Sequence, residues 1–321
     1  MDKSNTAYLQ TLSFAKLANK DGKELEKLLD ACQHQGFFYL DLAGSDAAQG
    51  LEDRLKALSL TKEWFDRPLE EKMKLRQDSV TKGYKPIGTL SGVVKDKKDG
   101  FENIKMPRDD FINGNNTLPE GLNQDLATFK RDLECSHTVT TTILSCLSDL
   151  LTPETRFEDH HRGSEASQST MMYFRYVRQH DRNEGTTGVG HNMHTDLGTL
   201  TLLYCEQWGL QVYDQSRDVW AYVEPKPGKY VVNVGDALRF LSGNALLSAL
   251  HRVVPVPGHE GEYRYSTAYF LRPENGARFR TSENTFVSAL DWHDRKYDIF
   301  KADHAEQEKN TILTGGIGVK G

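Results

Sequence analysis

The sequence lacks the features that mark exported, membrane-spanning and disulfide-stabilised proteins. It has only 4 cysteines among 321 residues, and no two of them form a C-x-x-C pair. We therefore expect reduced thiols and a cytoplasmic location, with no disulfide or zinc framework. The first residues, MDKSNTAYLQTLSF, show no basic segment followed by an apolar one, and no apolar run approaches about 18 residues. Neither secretion nor a membrane partner is expected.

An excess of basic residues is also missing. The 40 Lys and Arg residues against 46 Asp and Glu residues give a formal net charge of -6. The two signs are interspersed, which argues against a nucleic-acid partner. No internal repeat or low-complexity linker divides the chain, and 37% hydrophobic residues suffice for a large core. We predict one domain over 1–321 that acts on a small molecule, with no obligate protein partner.

Hydrophobic patterning divides this predicted domain into three parts. Residues 1–165 are expected to be helical or irregular, and residues 80–117 form the irregular segment, with short strands. Residues 170–273 hold short β-rich runs such as MMYFRYV, GTLTLLYC and KYVVNVGDALRFL, which are typical of a sandwich or barrel. Residues 282–310 are expected to form a C-terminal helix outside this β core. Earlier helices are expected in three stretches: 23–35, 46–79 and 119–151.

The run HTDLGTLTLL places two potential metal ligands, His194 and Asp196, before a β-prone segment. In a strand, residues two apart lie on one face, so this pair could bind one ion; a polar turn before a buried strand is the alternative. His251, in LHRVVPV, follows several short strands later, which could return the chain to the same end of a barrel. Two histidines and one carboxylate leave coordination positions open, as in non-haem Fe(II) oxygenases. Zinc is less favoured, because H-E-x-x-H is lacking.

Two further polar residues, Arg264 and Ser266, alternate along YRYSTAYF. A guanidinium group binds a carboxylate through two parallel hydrogen bonds, and a serine hydroxyl adds another donor. This pair could hold a dicarboxylate, although R-x-S also occurs as an exposed strand pair.

The ordered motifs HTDLGTLTLL, GLQVYD, VWAYVEPKPGKYVVNVGDALRFLSG, LHRVV and YRYSTAYFLRP resemble those of the isopenicillin N synthase-like family of 2-oxoglutarate and Fe(II)-dependent dioxygenases. The resemblance extends from GFFYL to Pro273. It implies a mainly β fold with flanking helices, a distorted double-stranded β-helix of the jelly-roll, cupin-like type. It also implies that iron is bound by His194, Asp196 and His251, and the distal carboxylate of 2-oxoglutarate by Arg264 and Ser266.

The resemblance further implies Fe(II) as cofactor, 2-oxoglutarate and O2 as cosubstrates, and ascorbate as reductant. The implied reaction is hydroxylation of a small metabolite in natural-product biosynthesis, coupled to decarboxylation of 2-oxoglutarate to succinate. Desaturation, epoxidation and rearrangement are alternative outcomes. Two other functions stay open: an isopenicillin N synthase-type oxidase that needs no 2-oxoglutarate, and a non-catalytic cupin-like binding protein.

Two positions depart from the family's pattern. Plant members typically show N-Y-Y-P before the H-x-D motif, where a tyrosine helps to hold the cosubstrate. Here FRYV places Tyr176 at that tyrosine and Phe174 at the asparagine, so Tyr176 is either a cosubstrate contact or an ordinary strand residue. The extra His191, just before His194, could donate a hydrogen bond to a ligand, contact the substrate or simply lie in a loop.

Substrate contacts are expected from loops around the barrel mouth, and we predict that the segment 80–117 forms a lid or wall there. Besides His191, the candidate contacts are Tyr84, Phe101, Ile104, Met106, Phe240 and Leu246.

Overall fold

A computed structural model of the chain describes residues 5–115, 118–178, 190–259, 261–309 and 311–316. The strands of these ranges are β1 (Thr11–Ser13), β2 (Phe37–Asp41), β3 (Gly83–Lys85), β4 (Phe101–Pro107), β5 (Thr170–Tyr176), β6 (His191–His194), β7 (Leu200–Tyr204), β8 (Leu210–Asp214), β9 (Val219–Tyr222), β10 (Tyr230–Val234), β11 (His251–Val253), β12 (Arg264–Leu271), β13 (Arg278–Arg280) and β14 (Phe286–Ser288). The α-helices are α1 (Phe14–Ala18), α2 (Gly22–His34), α3 (Gln49–Phe65), α4 (Leu69–Met73), α5 (Arg108–Ile112), α6 (Leu126–Leu151), α7 (Asp236–Leu241), α8 (Ala289–Lys301) and α9 (His304–Gln307).

The described strands form two facing sheets and a separate hairpin of β13 and β14. The larger sheet has eight strands in the order β1-β2-β10-β7-β12-β5-β4-β3, and the smaller has four in the order β6-β11-β8-β9. A buried apolar cluster joins the two sheets, with Phe37 and Ala268 from the larger and Val212 and Val253 from the smaller. The resemblance implied a distorted double-stranded β-helix with flanking helices, and this expectation is confirmed.

Helices cover the outer face of the larger sheet. The main core lies between them and includes Leu28 of α2, Ala57 of α3, Leu144 of α6 and Leu202 of β7. The helices predicted over 23–35 and 119–151 correspond to α2 and α6. The stretch 46–79 contains α3 and α4, and Pro68 stands between them, where its ring begins a new helix.

The irregular segment 80–117 contains two strands, β3 and β4, and Phe101–Pro107 of β4 pairs with β5 along its whole length. Buried charged residues within β4 hid its bounds in the sequence. One predicted element is corrected. The run KYVVNVGDALRFL is not all strand, because β10 ends at Val234 and α7 begins at Asp236. Gly235 makes this turn possible, since a Cβ there would lie 2.3 Å from the carbonyl oxygen of Gly198.

The C-terminal part packs against the end of the β core. The predicted helix over 282–310 is shorter than expected and is followed by the separate helix α9. Ser288 caps α8 by accepting a hydrogen bond from the backbone of Asp291. Trp292 of α8 packs edge-on against Phe240 of α7, with ring centroids 5.2 Å apart. No helix among the described residues has both the length and the apolar character needed to cross a membrane.

Candidate active site

The three predicted metal ligands meet where β6 pairs with β11. His194 ends β6, His251 begins β11, and the two residues are cross-strand partners. Their Nε2 atoms lie 3.5 Å and 3.8 Å from Oδ1 of Asp196. All three side chains are buried, and one potential ligand atom from each lies within 4.8 Å of the other two. The arrangement can hold a single divalent ion.

The two histidines are oriented by backbone carbonyl groups. Nδ1 of His194 lies 2.7 Å from the carbonyl oxygen of Asn192, and Nδ1 of His251 lies 3.1 Å from that of Ala249. Because a carbonyl oxygen only accepts, each Nδ1 carries the proton and each Nε2 keeps its lone pair. Such bonds fix the tautomer and ring orientation that metal ligation requires.

Asp196 lies in the loop after β6, so it does not share a strand face with His194 as the H-x-D spacing predicted. Its Oδ2 accepts hydrogen bonds from Thr201 at 2.5 Å and Asn233 at 2.7 Å, two buried residues of the larger sheet. These bonds leave Oδ1 for a metal. Sequence reasoning missed both donors, although Asn233 is a polar residue inside the apolar run YVVNV, which marks a buried side chain with a specific partner.

The electrostatics of the cluster suit metal binding. Burial lowers the pKa of His251 to about 4, with a further contribution from His194, so its imidazole is neutral near pH 7. Burial alone would raise the pKa of Asp196, but the neighbouring imidazoles and the Asn233 amide outweigh it and lower that pKa below its ordinary range. An ionised carboxylate beside a neutral imidazole is the protonation state that a metal ion needs.

A second buried polar group lies at the other end of the β5–β12 pair. Arg264 pairs with Tyr176 across the two strands, and its Cζ lies 4.9 Å from the centre of the tyrosine ring. Burial raises the pKa of the Tyr176 hydroxyl, and Arg264 and Ser266 oppose this rise. Nε of Arg264 donates to the carbonyl oxygen of Trp208 at 3.0 Å, whereas its Nη1 is buried with no partner among the described residues. An unpaired buried guanidinium nitrogen of this kind suits an anionic oxygen.

The Arg264 group lies on the interior face of the larger sheet, and the same face lines the cavity beside the metal cluster. Side chains alternate along a strand, so Arg264, Ser266 and Phe270 lie on the same face of β12. On β5 that face carries Tyr176 and Phe174, whose rings stack with centroids 6.2 Å apart. Phe174 and Phe270 also line the cavity beside the metal cluster. A molecule that reaches from the cluster toward Arg264 would follow this face.

The cavity beside the cluster contains about 670 Å³ of empty space that opens to solvent. Its walls come mainly from β3–β6, the loop before β4, the end of β12 and α8, so the segment 80–117 supplies a wall of the cavity. The lining residues are Val80, Lys85, Leu90, Phe101, Asn103, Lys105, Met172, Phe174, His191, His194, Asp196, Leu197, Phe270, Arg272, Tyr297 and Phe300.

Two of the predicted substrate contacts line this cavity, Phe101 and His191. The imidazole of His191 lies 4.9 Å from the ring of Phe101 and 4.5 Å from that of His194, measured between ring centroids. Burial lowers the pKa of His191 far below its usual range, so this ring is neutral. The described cluster of potential ligands does not include it.

The other five predicted contacts lie away from the cavity, and those predictions are corrected. Tyr84, Ile104 and Met106 lie on the opposite face of β3 and β4, in the main core beneath the helices. Leu246 belongs to the same core, and Phe240 packs among Trp292 and its neighbours. For Tyr84, Ile104 and Met106 the reason is strand parity, because a displacement of one residue reverses the face on which a side chain lies. Phe240 belongs to helix α7, and Leu246 follows that helix outside any strand.

Sequence reasoning missed the polar residues that do line the cavity. Lys85 of β3 and Asn103 and Lys105 of β4 alternate with the core residues, and Arg272 follows the end of β12. The alternation in FENIKMP was the available signal, and reading that run as a strand would have separated Phe101, Asn103 and Lys105 from Ile104 and Met106.

Comparison with known proteins yields two family matches and several fungal relatives. Residues 168–273 match the 2OG-Fe(II) oxygenase superfamily, and residues 9–121 match the non-haem dioxygenase in morphine synthesis N-terminal family. A 2-oxoglutarate-dependent dioxygenase of Gibberella zeae is 41% identical over 315 residues, which cover 97% of this chain and 93% of the relative. Another, from Glarea lozoyensis, is 42% identical over 316 residues, which cover 98% of this chain and 94% of the relative.

Solved structures share the fold at lower identity. A 2OG-Fe(II) oxygenase family protein from Caulobacter crescentus superposes with a TM-score of 0.73 at 24% identity, covering 91% of this chain and 99% of that protein. The dioxygenase for auxin oxidation from rice superposes with a TM-score of 0.66 at 21% identity, covering 91% of this chain and 95% of that protein. At these identities the likeness concerns the fold alone.

Proposed function

The chain belongs to the 2OG-Fe(II) oxygenase superfamily and is a 2-oxoglutarate-dependent non-haem iron oxygenase, and we propose that it hydroxylates a small organic metabolite in natural-product biosynthesis. Desaturation and rearrangement are alternative outcomes of the same chemistry. The cytoplasmic location expected from the sequence belongs to this proposal, and the four free thiols of the structure are consistent with it.

We assign Fe(II) to His194, Asp196 and His251. The observation that carries this assignment is the convergence of their donor atoms within 4.8 Å, with each imidazole Nδ1 held by a backbone carbonyl group. Two imidazoles and one carboxylate on one side of an ion leave the opposite positions open for a cosubstrate. The hydrogen bonds from Thr201 and Asn233 keep Asp196 oriented toward the imidazoles.

We assign the distal carboxylate of 2-oxoglutarate to Arg264 and Ser266, with Tyr176 beside them. Support comes from the buried Nη1 of Arg264, which has no partner among the described residues. A carboxylate there would complete the hydrogen bonding of the guanidinium group. The same face of β12 carries Arg264 and, toward the cavity wall, Phe270.

The Fe(II) centre with 2-oxoglutarate and O2 supplies oxidative decarboxylation to succinate and CO2 coupled to oxidation of a substrate C–H bond. The role of the chain is to position that bond and to limit water. Phe300 of α8 packs on His194, with ring centroids 5.2 Å apart, and Phe101 lies beyond His191. These rings restrict how a substrate can approach the metal ligands.

The test is a mass-spectrometric screen of small metabolites with the full chain, Fe(II), ascorbate and O2, run with and without 2-oxoglutarate. We expect product whose mass exceeds that of the substrate by one oxygen, with one succinate released for each turnover. Product formed at full rate without 2-oxoglutarate would instead favour the oxidase alternative. The absence of both product and succinate across the panel, in a chain that binds Fe(II) and 2-oxoglutarate, would favour a binding protein.

A further inference from the structure

Three cationic side chains line the cavity, whose remaining walls are mostly apolar. Lys85, Lys105 and Arg272 are each no more than 7% exposed. Lys105 lies near the end of β4, and Arg272 follows the end of β12. Because β4 and β12 both pair antiparallel with β5, they run in the same direction on either side of it. Lys105 and Arg272 therefore lie toward the same end of the cavity.

Two of these cations form no direct ion pair among the described residues. Lys85 forms a buried ion pair with Asp99. By contrast, the ammonium group of Lys105 donates to the carbonyl oxygen of Ser79, and Nη1 of Arg272 donates to that of Gln168. Neither makes an ion pair in the part of the chain that the structure describes. Backbone carbonyl oxygens satisfy a hydrogen bond but carry no charge. The negative charges of Asp78 on Lys105 and of Asp196 on Arg272 act without a direct ion pair.

Two unpartnered polar atoms lie beside these charges. Nε of Arg272 and Oδ1 of Asn103 are both buried without a hydrogen-bond partner among the described residues. Both side chains line the cavity and are at least nine-tenths buried. Nε of Arg272 is a donor that an anionic oxygen can accept from, whereas Oδ1 of Asn103 is an acceptor and suits a donor group elsewhere on a ligand.

Burial makes the charged forms of Lys105 and Arg272 energetically unfavourable. Burial lowers the pKa of Lys105 to about 8, with further contributions from the charges of Lys85 and Arg272. Burial lowers the pKa of Arg272 to about 10. The acidic residue that lines the cavity is Asp196, already assigned to iron. An anionic ligand would therefore relieve positive charge that Asp78 and Asp196 offset only in part.

We propose that the substrate is an organic acid with an apolar, largely aromatic body, and that Arg272 and Lys105 bind its ionised carboxylate with Asn103 beside them. This inference rests on the proposed function, because it names the substrate class of the same cavity. The body of the acid would contact the apolar walls, where Phe101, Phe270 and Phe300 lie. Arg264 has a separate role, since it does not line this cavity.

The experiment compares carboxylic acids with their uncharged amides. The probes are 3-phenylpropionate and naphthalene-2-carboxylate, the matching primary amides, and benzylphosphonate, which represents a phosphate-type anion. Dissociation constants are measured by ligand-observed NMR on the full chain with Mn(II) in place of Fe(II), with and without 2-oxoglutarate. The variants are Arg272→Gln and Lys105→Gln, and Arg278→Gln serves as control because Arg278 is exposed at the start of β13.

We expect the wild-type chain and Arg278→Gln to bind each acid about tenfold or more tightly than its amide. In Arg272→Gln and Lys105→Gln this preference should fall to about twofold, with amide binding unchanged. If Arg272→Gln does not fold, as judged by its thermal unfolding, Lys105→Gln carries the test alone. Equal binding of acid and amide by the wild-type chain would overturn the inference, and tighter binding of benzylphosphonate would overturn the carboxylate assignment.

The affinity for 2-oxoglutarate is measured separately by calorimetry on the same proteins. A loss of 2-oxoglutarate binding in Arg272→Gln, with the acid preference intact, would assign this cation to the cosubstrate and overturn the inference. The comparison of acid with amide does not depend on cosubstrate binding. A chain that fails to bind 2-oxoglutarate therefore contradicts the proposed function, while the acid preference is still measured.

Discussion

His194 and His251 are direct cross-strand partners in the antiparallel pair of β6 and β11, and their ring centroids lie 4.3 Å apart. The pairing of two short strands thus sets the separation of the two imidazoles. Asp196 reaches them from the loop after β6. Sheet hydrogen bonding keeps the two histidines in place, whereas the position of Asp196 depends on side-chain contacts with the larger sheet.

Replacing His251 with alanine should abolish metal binding and 2-oxoglutarate decarboxylation, because two donors no longer enclose the ion. Asp196→Glu should also fail, since one added methylene displaces the carboxylate. Calorimetry with Mn(II) and succinate release provide the two measurements. His34→Ala is the matched control, since His34 lies exposed on α2. Wild-type metal affinity in His251→Ala would show that the ligand assignment is wrong.

Asn233→Leu should lower metal affinity about ten- to a hundredfold without removing a ligand, because Oδ2 of Asp196 loses the amide that orients it. Thr201→Val should have a similar effect through the loss of its hydroxyl. Titration of each variant with Mn(II) gives the affinity, and circular dichroism checks the fold. Unchanged affinity in both variants would mean that the loop backbone alone positions Asp196.

Arg264→Ala should weaken 2-oxoglutarate binding about a hundredfold or more, because it leaves a desolvated carboxylate unpaired. Arg264→Lys keeps the charge but not the two-pronged geometry, so its loss should be smaller, and that of Ser266→Ala smaller still. Affinity for Mn(II) should change little in all three. The half-saturating 2-oxoglutarate concentration for succinate release ranks the variants, and equal values for wild type and Arg264→Ala would contradict the assignment.

Lys296 of α8 is fully buried and donates to Oδ2 of Asp236 at 2.5 Å and to the hydroxyl of Thr195 at 2.7 Å. In the sequence, Thr195 lies between the assigned metal ligands His194 and Asp196. Lys296→Met should lower the free energy of unfolding by about 3 kcal/mol, because the buried Asp236 carboxylate loses its nearest cation and keeps only Arg239, 3.9 Å away, and the Thr195 hydroxyl. Denaturant unfolding measures this change.

The control for this prediction is Lys301→Met, since Lys301 is exposed on the same helix. Adding Asp236→Asn to Lys296→Met should recover part of the lost stability, because the buried negative charge that lost its nearest cation is removed. A Lys296→Met chain as stable as wild type would show that the buried pair contributes nothing net.

Binding of a carboxylate probe should weaken as the pH rises through about 8, the lowered pKa of Lys105. The side chain is protonated and attractive below that pH and neutral above it. Lys85, Arg272 and Asp78 are the charged groups that act on it. From about pH 7 to about pH 9 the affinity for naphthalene-2-carboxylate should fall about threefold or more in wild type. In Lys105→Gln it should stay constant, and the same pH dependence in both proteins would exclude Lys105 as its source.

Much of the fold and part of the site could be predicted from local patterns. The apolar periodicity of KELEKLLDACQHQ and the β-rich run of 170–273 led to α2 and the β core. The types and order of His194, Asp196 and His251 were sufficient to propose that they bind one metal ion. Metal ligation depends on residue type, and the sequence shows residue types directly. Arg264 and Ser266 followed for the same reason.

The tertiary structure alone decided which side chains of the segment 80–117 lie in the cavity. Lys105 lies there and its neighbours Ile104 and Met106 do not, since β4 pairs with β5 in one register and a shift of one residue would exchange the faces. It also brought Arg272 toward Lys105, far away in the sequence, and Asn233 toward Asp196. Such contacts depend on which strands are neighbours in the sheet, and a single sequence carries no local pattern for that.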